Sequence, residues 1–284
     1  MATLRDIRRR IRSIGNTAQI TKTMEMVSAA KLRRAQVAVE SARPYATQLR
    51  EVLGNLALAS GDVLHPVFVK REVRRRAIVL VTSDRGLCGA FNANLIRTLE
   101  QRLRERREPT TLILIGRKGF AYFRRREANI LASKTDLAGK ADWTYAEEIA
   151  RDLVARFEAG EFDEVDLIYT HFQSALTRHI VVEPFLPLGR ELSEKAAAPR
   201  DYLFEPGPEE ILAKIVPYFL AMRLFMSMAE SAASEHGARM IAMGSATKNA
   251  NELIQTLTLH MNRTRQATIT REIVEIVGGA EALK

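Results

Sequence analysis

The stretch whose residue types come nearest to chemistry is SDRGLCGAFN, Ser83–Asn92, a glycine-bearing segment that follows an apolar run and opens a helical one, where phosphate-binding loops sit. Gly86 and Gly89 satisfy neither G-x-G-x-x-G nor G-x-x-x-x-G-K-[ST], so a tight strand-to-helix turn is expected rather than a nucleotide cradle. Cys88 in that loop could act as a nucleophile only beside a base; no partner is evident in the sequence, and a structural thiol is expected. The five histidines, His65, His171, His179, His236 and His260, show no H-E-x-x-H or other ligand spacing. His236 falls on an apolar seam, which favours a packed ring. The carboxylate pairs Glu147/Glu148 and Glu209/Glu210 fall at helix starts, where the helix dipole accounts for them. No catalytic, cofactor-binding or metal-ligating set can be nominated, and no cofactor is expected.

Charge says more. Residues 1–43 carry ten Lys/Arg against three Asp/Glu, a local +7 within a chain whose formal charge is +9. Four readings stay open on charge alone: a nucleic-acid-binding surface, a mitochondrial targeting helix, a rod that meets acidic protein surfaces, and a solvated basic face. Aromatic residues for base stacking are absent before Tyr45, and the apolar pattern runs far past any removable presequence.

The elements that would position these residues follow from where prolines fall. Of the nine prolines only Pro44 lies in the first 65 residues and none follows Pro217, so the ends can form long helices and the middle cannot. At the N-terminus Leu4, Ile7, Ile11, Ile14 and Ala18 recur in steps of three and four, and Ile20, Met24 and Val27 continue the pattern after a slip, which reads as a coiled-coil seam with a phase shift. At the C-terminus Met226, Ala229, Ala233, His236, Met240, Met243, Thr247, Ala250, Ile254, Leu257 and Met261 keep the same steps without a break. A helix over 218–277 is expected there, roughly 90 Å long at 1.5 Å per residue, with the antiparallel N-terminal segment as its partner. Between the rods, Ala77–Val81, Thr111–Ile115 and Val165–Tyr169 are short apolar runs typical of buried parallel strands. They alternate with helical stretches at Asn92–Arg107 and Thr144–Phe157, the second N-capped by Asp142, so a largely parallel α/β domain is expected. The expected divisions are an N-terminal coiled-coil helix at 1–60, a central α/β domain at 74–190, a linker at 191–208 and a C-terminal coiled-coil helix at 209–284.

Composition excludes several classes. At 284 residues, 46% hydrophobic and 27% charged, the chain is a folded globular protein rather than a disordered one. One cysteine excludes an intramolecular disulfide framework and any multi-cysteine metal site. The greasiest stretch, Ile215–Met228, is interrupted by Pro217 and Arg223, so no membrane crossing is expected, and no secretory signal either.

Taken together, the basic N-terminal helix, small α/β domain and long C-terminal helix resemble the gamma subunit of the F-type ATP synthase. The motifs carry the resemblance: ITKTMEMVSAA at Ile20–Ala30 followed by Lys31 and Leu32, SDRGLCG at Ser83–Gly89, RMIAMG at Arg239–Gly244 with Ala246–Asn249, TRQATIT at Thr264–Thr270 and EIVEIVGGA at Glu272–Ala280. They occur in the family's order along nearly the whole chain. The resemblance implies an antiparallel coiled coil of the terminal helices with a Rossmann-like α/β domain, forming a rotor shaft inside a hexamer of alpha and beta subunits, on a ring of c subunits with epsilon alongside. It implies that proton flow turns the ring and shaft, that ATP is made on beta and not on this chain, and that the protein is peripheral at the cytoplasmic face of a bacterial inner membrane.

Carried over residue by residue, Met24 would face beta's lever region with Arg239 opposite it on the antiparallel helix, and Arg265, Gln266 and Thr270 would contact the hexamer. Tyr202 and Glu205, in DYLFEP, would meet the polar loops of the c ring. The same residues also fit ordinary seam packing, a solvated charge and linker positions. The chain lacks the insertion and second cysteine of the chloroplast form, so it resembles the bacterial form without thiol regulation. The competing class is a basic coiled-coil nucleic-acid-binding or scaffold protein.

Overall fold

The computed structural model describes residues 3–59, 66–106, 108–188 and 207–282. In chain order these form α1 (Leu4–Ala59), a 3-10 turn (Pro66–Phe68), β1 (Arg76–Val81), α2 (Phe91–Glu105), β2 (Thr110–Ile115), α3 (Arg117–Arg124), β3 (Ile130–Lys134), α4 (Trp143–Glu158), β4 (Glu164–Phe172), β5 (Arg178–Leu186) and α5 (Pro208–Ala282). The expected linker lies mostly outside the described residues. Both terminal helices run through a proline, Pro44 in α1 and Pro217 in α5, so α5 starts ten residues before the expected Tyr218. A mid-helix proline costs about 3 kcal/mol. Leu212, Val216, Phe219 and Leu220 flank Pro217 and are all buried; at about 1.5 to 3 kcal/mol for each large apolar side chain, their burial outweighs the lost hydrogen bond.

The chain packs as two compact units, one made of the residues up to Val27 with those from Arg239 on, the other of Ser28–Ala238. The first is an antiparallel helix pair. Thr21 and Thr247 share a hydrogen bond of 2.7 Å between their hydroxyls, and Gly244 lies beneath the Glu25 carboxylate, where an added Cβ would sit 3.4 Å from the carboxyl carbon. As α1 advances from 21 to 25, α5 recedes from 247 to 244.

The inferred phase slip in α1 is absent. Along the helix Leu4, Ile7, Ile11, Ile14, Ala18, Thr21, Glu25, Ser28, Leu32, Ala35 and Val39 are buried or half-buried in unbroken steps of three and four, whereas Ile20 (61% exposed) and Val27 (50%) point to solvent. The seam simply contains polar residues, which a count of apolar positions reads as a break.

The second unit holds a five-stranded sheet in the order β3-β2-β1-β4-β5, parallel except for the β4–β5 pair. β1 is buried at all six positions, as expected of a central strand covered on both faces. Ala77, Val79 and Val81 face one side with α4, the end of α1 and the start of α5; Ile78 and Leu80 face the other with α2 and α3. Strands β3 and β5 and helix α3 did not register as elements in the sequence, because the two edge strands are half-exposed and lack continuous apolar runs. Asp142 caps α4 as expected, its carboxylate accepting the Tyr145 N–H at 3.1 Å.

Residues 219–239 of α5 are buried almost without interruption. Within the second unit the sheet side is polar: Ser231 Oγ accepts the Thr170 N–H at 3.1 Å, and the Glu230 carboxylate lies 2.6 Å from His171 Nδ1. Burial pushes the Glu230 carboxyl above its ordinary 4.5, the nearby His171 and Arg43 pulling it back. By composition one 18-residue window of α5 is apolar enough to span a bilayer, but half of it is buried inside the protein, as in a core helix.

Candidate functional site

The SDRGLCG loop leaves β1 at its carboxyl end, the edge where open α/β sheets bind ligands. Here the loop binds itself. The Asp84 carboxylate accepts three backbone N–H groups at 3.0 Å each, from Arg117 at the first turn of α3 and from Asp136 and Ala138 after β3. A helix N-terminus and a cluster of backbone donors are what an anionic ligand would use, and the protein's own carboxylate occupies them. Thr82 packs against Gly116, whose φ of +96° and contact with the Thr82 carbonyl leave no room for a Cβ. Ser83 donates to the Arg85 carbonyl at 2.7 Å and shares a hydrogen bond with Asn92, while Cys88 is buried at 2% exposure with the Asn92 amide 3.2 Å from its sulfur. The loop is a tight structural turn. His236 is buried, its Nε2 3.3 Å from the Gly139 carbonyl oxygen.

The nominated contact residues separate along the helices. Arg265, Gln266 and Thr270 are exposed, and from Arg265 to Gly278 every residue except Thr268 is exposed. This end of α5 is nevertheless apolar: Ile269, Ile273, Val274, Ile276 and Val277 are each between 46% and 71% exposed. Extending the register set by Thr21–Thr247 brings Leu4 level with about residue 264. Among the described residues α1 therefore offers nothing to cover the last 18 or so residues of α5, roughly 27 Å of helix. Met24 is half-buried, and the same register sets it level with Gly244 rather than with Arg239, about five residues away. Arg239 is buried at 7% and is not the solvated charge that one reading allowed. Tyr202 and Glu205 lie outside the described residues.

Two sets of residues escaped the sequence reading. Thr21, Glu25 and Ser28 form a polar stretch of the seam, and the signal for them was present: the three-four spacing from Leu4 continues through them if polarity is ignored. Asp84 left no signal, since a loop aspartate after a strand is unremarkable until the partner loops are seen to converge on it.

Comparison with known proteins decides the family. A family profile described as ATP synthase matches residues 3–283. The ATP synthase gamma chain of Moorella thermoacetica is 49% identical over 284 residues, all of both chains, and that of Desulforamulus reducens is also 49% identical over the full length of both. This chain belongs to the ATP synthase gamma family. Solved structures similar to this chain in fold include a chain of the Euglena gracilis mitochondrial ATP synthase in an assembly of OSCP, F1 and c ring, with a TM-score of 0.71 at 20% identity, covering 99% of this chain and 94% of that one. A chain of the Tetrahymena thermophila mitochondrial ATP synthase central stalk and c ring aligns with a TM-score of 0.62 at 24% identity, covering 80% of this chain and 99% of that one. Terminal helices around a mixed sheet are thus the gamma-family architecture.

Proposed function

We propose that this gamma-family chain is the rotor shaft of a proton-translocating F-type ATP synthase and carries no catalytic residue of its own. The observation that supports this most strongly is the uncovered C-terminal end of α5, where five aliphatic side chains face outward together with six polar ones, Arg265, Gln266, Thr270, Arg271, Glu272 and Glu275. Such a surface is costly in water and calls for a partner that encloses the helix on all sides. A hexamer of alpha and beta subunits is that partner, with the c ring and epsilon engaging other parts of the chain. Apolar bulk supplies the bearing, and the polar groups supply contacts that are made in one angular position and lost in the next. The rotor then shifts each beta subunit among its nucleotide-affinity states by differential contact, a population shift imposed by rotation. Met24 acts beside the beta levers, and Tyr202 and Glu205 act at the c ring. The complex sits at the cytoplasmic face of a bacterial inner membrane, with this chain peripheral to it. No observation favours the nucleic-acid alternative.

Arg265→Leu tests the reading. The reconstituted complex should recover less fully and turn over ATP more slowly, with the helix content of the isolated variant unchanged because Arg265 is exposed. Unchanged assembly and turnover would show that the shaft is held by shape and apolar contact alone.

A further inference from the structure

A cavity of about 480 Å³ opens in the second unit between α1, the loop before α4 and the middle of α5. Its volume falls in the range of small-molecule sites. The floor is apolar, made by Ala229, Ala232 and Phe225 of α5, and three cations line the same space: Lys31 and Arg34 from α1 and Lys140 from the loop. None of the three has an ion-pair partner among the described residues. Glu235, the carboxylate near Gly139, is 5% exposed and already engaged. The loop wall is firm: Gly139, at φ +73°, presses on the His236 ring so closely that an added Cβ would sit 2.6 Å from Nε2.

We propose that this cavity binds an organic anion with an apolar body, a carboxylate on an alkyl chain, with its chain on the alanine and phenylalanine floor and its head among Lys31, Arg34 and Lys140. Apolar burial supplies affinity for the chain, and three unneutralised cations select against neutral and cationic analogues of the same length. With no carboxylate in the lining to offset the three cations, a negatively charged head is favoured over a neutral one. Phe225 links the cavity to a reporter, since its ring centroid lies 5.7 Å from that of Trp143, the sole tryptophan of the chain.

The test is a fluorescence titration of the full chain at Trp143 with dodecanoate below its micelle concentration, beside dodecan-1-ol and dodecylammonium. Dodecanoate should give a saturable change in emission, confirmed by calorimetry. The alcohol should bind about tenfold more weakly, and the ammonium more weakly still. A Lys31→Gln, Arg34→Gln, Lys140→Gln variant should lose about tenfold in dodecanoate affinity with its circular dichroism unchanged, because the substitutions sit at the cavity rim. Ala232→Leu, which narrows the floor, should weaken acid and alcohol alike. Equal binding of acid and alcohol, undiminished binding by the triple variant, or no emission change would each overturn the proposal. So would saturable binding of an acidic amphipathic peptide at the same residues with none of dodecanoate.

Discussion

The Thr21–Thr247 contact offers a quantitative test of the polar seam. The two hydroxyl oxygens are 2.7 Å apart, and each also lies near a carbonyl of its own helix, Thr21 at 3.0 Å from Ala18 and Thr247 at 2.9 Å from Met243. Two protons thus serve three bonds: only one can cross between the helices, and the other must go to its own backbone. Thr21→Val or Thr247→Val alone removes the cross-helix bond and leaves the remaining hydroxyl donating to its own backbone carbonyl with its acceptor lone pairs unused in an almost buried seam, costing about 1 kcal/mol. With both replaced no polar group is stranded, and two isosteric valines pack where two methyl-bearing threonines did. The double variant should therefore cost less than either single one, a coupling of at least about 1 kcal/mol. Native-state amide hydrogen exchange over residues 18–25 and 243–247 reads the local opening free energy without requiring the whole chain to unfold in one step. If the two costs simply add, the hydroxyls are satisfied separately by their own helices, and the shared-proton account of this layer fails.

Three further outcomes follow from other parts of the fold. Because burial raises the Glu230 carboxyl, the folded chain holds that proton more tightly than the unfolded one; stability should fall as pH rises from about 4.5 through the raised value, and Glu230→Gln should flatten that part of a melting-temperature profile. Asp84→Ala should cost about 2 to 3 kcal/mol in urea unfolding, since three backbone donors lose one charged acceptor; a cost below about 0.5 kcal/mol would mean that water replaces it. The Tyr145 hydroxyl is buried without a hydrogen-bond partner among the described residues, so Tyr145→Phe should leave stability unchanged or raise it by about 1 kcal/mol, read as a higher melting temperature.

What could be read from the sequence depended on how far each element departs from apolar periodicity. The central strands β1, β2 and β4 are covered on both faces and stood out as continuous apolar runs, whereas β3 and β5 at the edges need few apolar residues and did not. The α5 seam was legible because Met, Ala, Ile and Leu occupy it. The α1 seam was misread at Thr21, Glu25 and Ser28, where a helix interface buries hydroxyls and a carboxylate. Proline misled in the other direction, since Pro217 sits inside a helix whose neighbouring turns are buried deeply enough to tolerate it. The family motifs placed Arg265, Gln266 and Thr270 on a surface that is exposed, but they could not set the register between the helices, which cross-helix contacts such as Thr21–Thr247 fix.

The self-ligated loop at Asp84 has a thermodynamic corollary. An α/β domain that fills the same position with a nucleotide gains stability in proportion to the logarithm of that ligand's concentration, so its firmness varies with the metabolic state around it. Here the negative charge is covalently part of the chain, its effective concentration is fixed, and no ordering entropy is lost when a ligand arrives. In a machine whose surroundings swing between ATP-rich and ADP-rich, the domain's rigidity is thereby insulated from the quantity the machine changes.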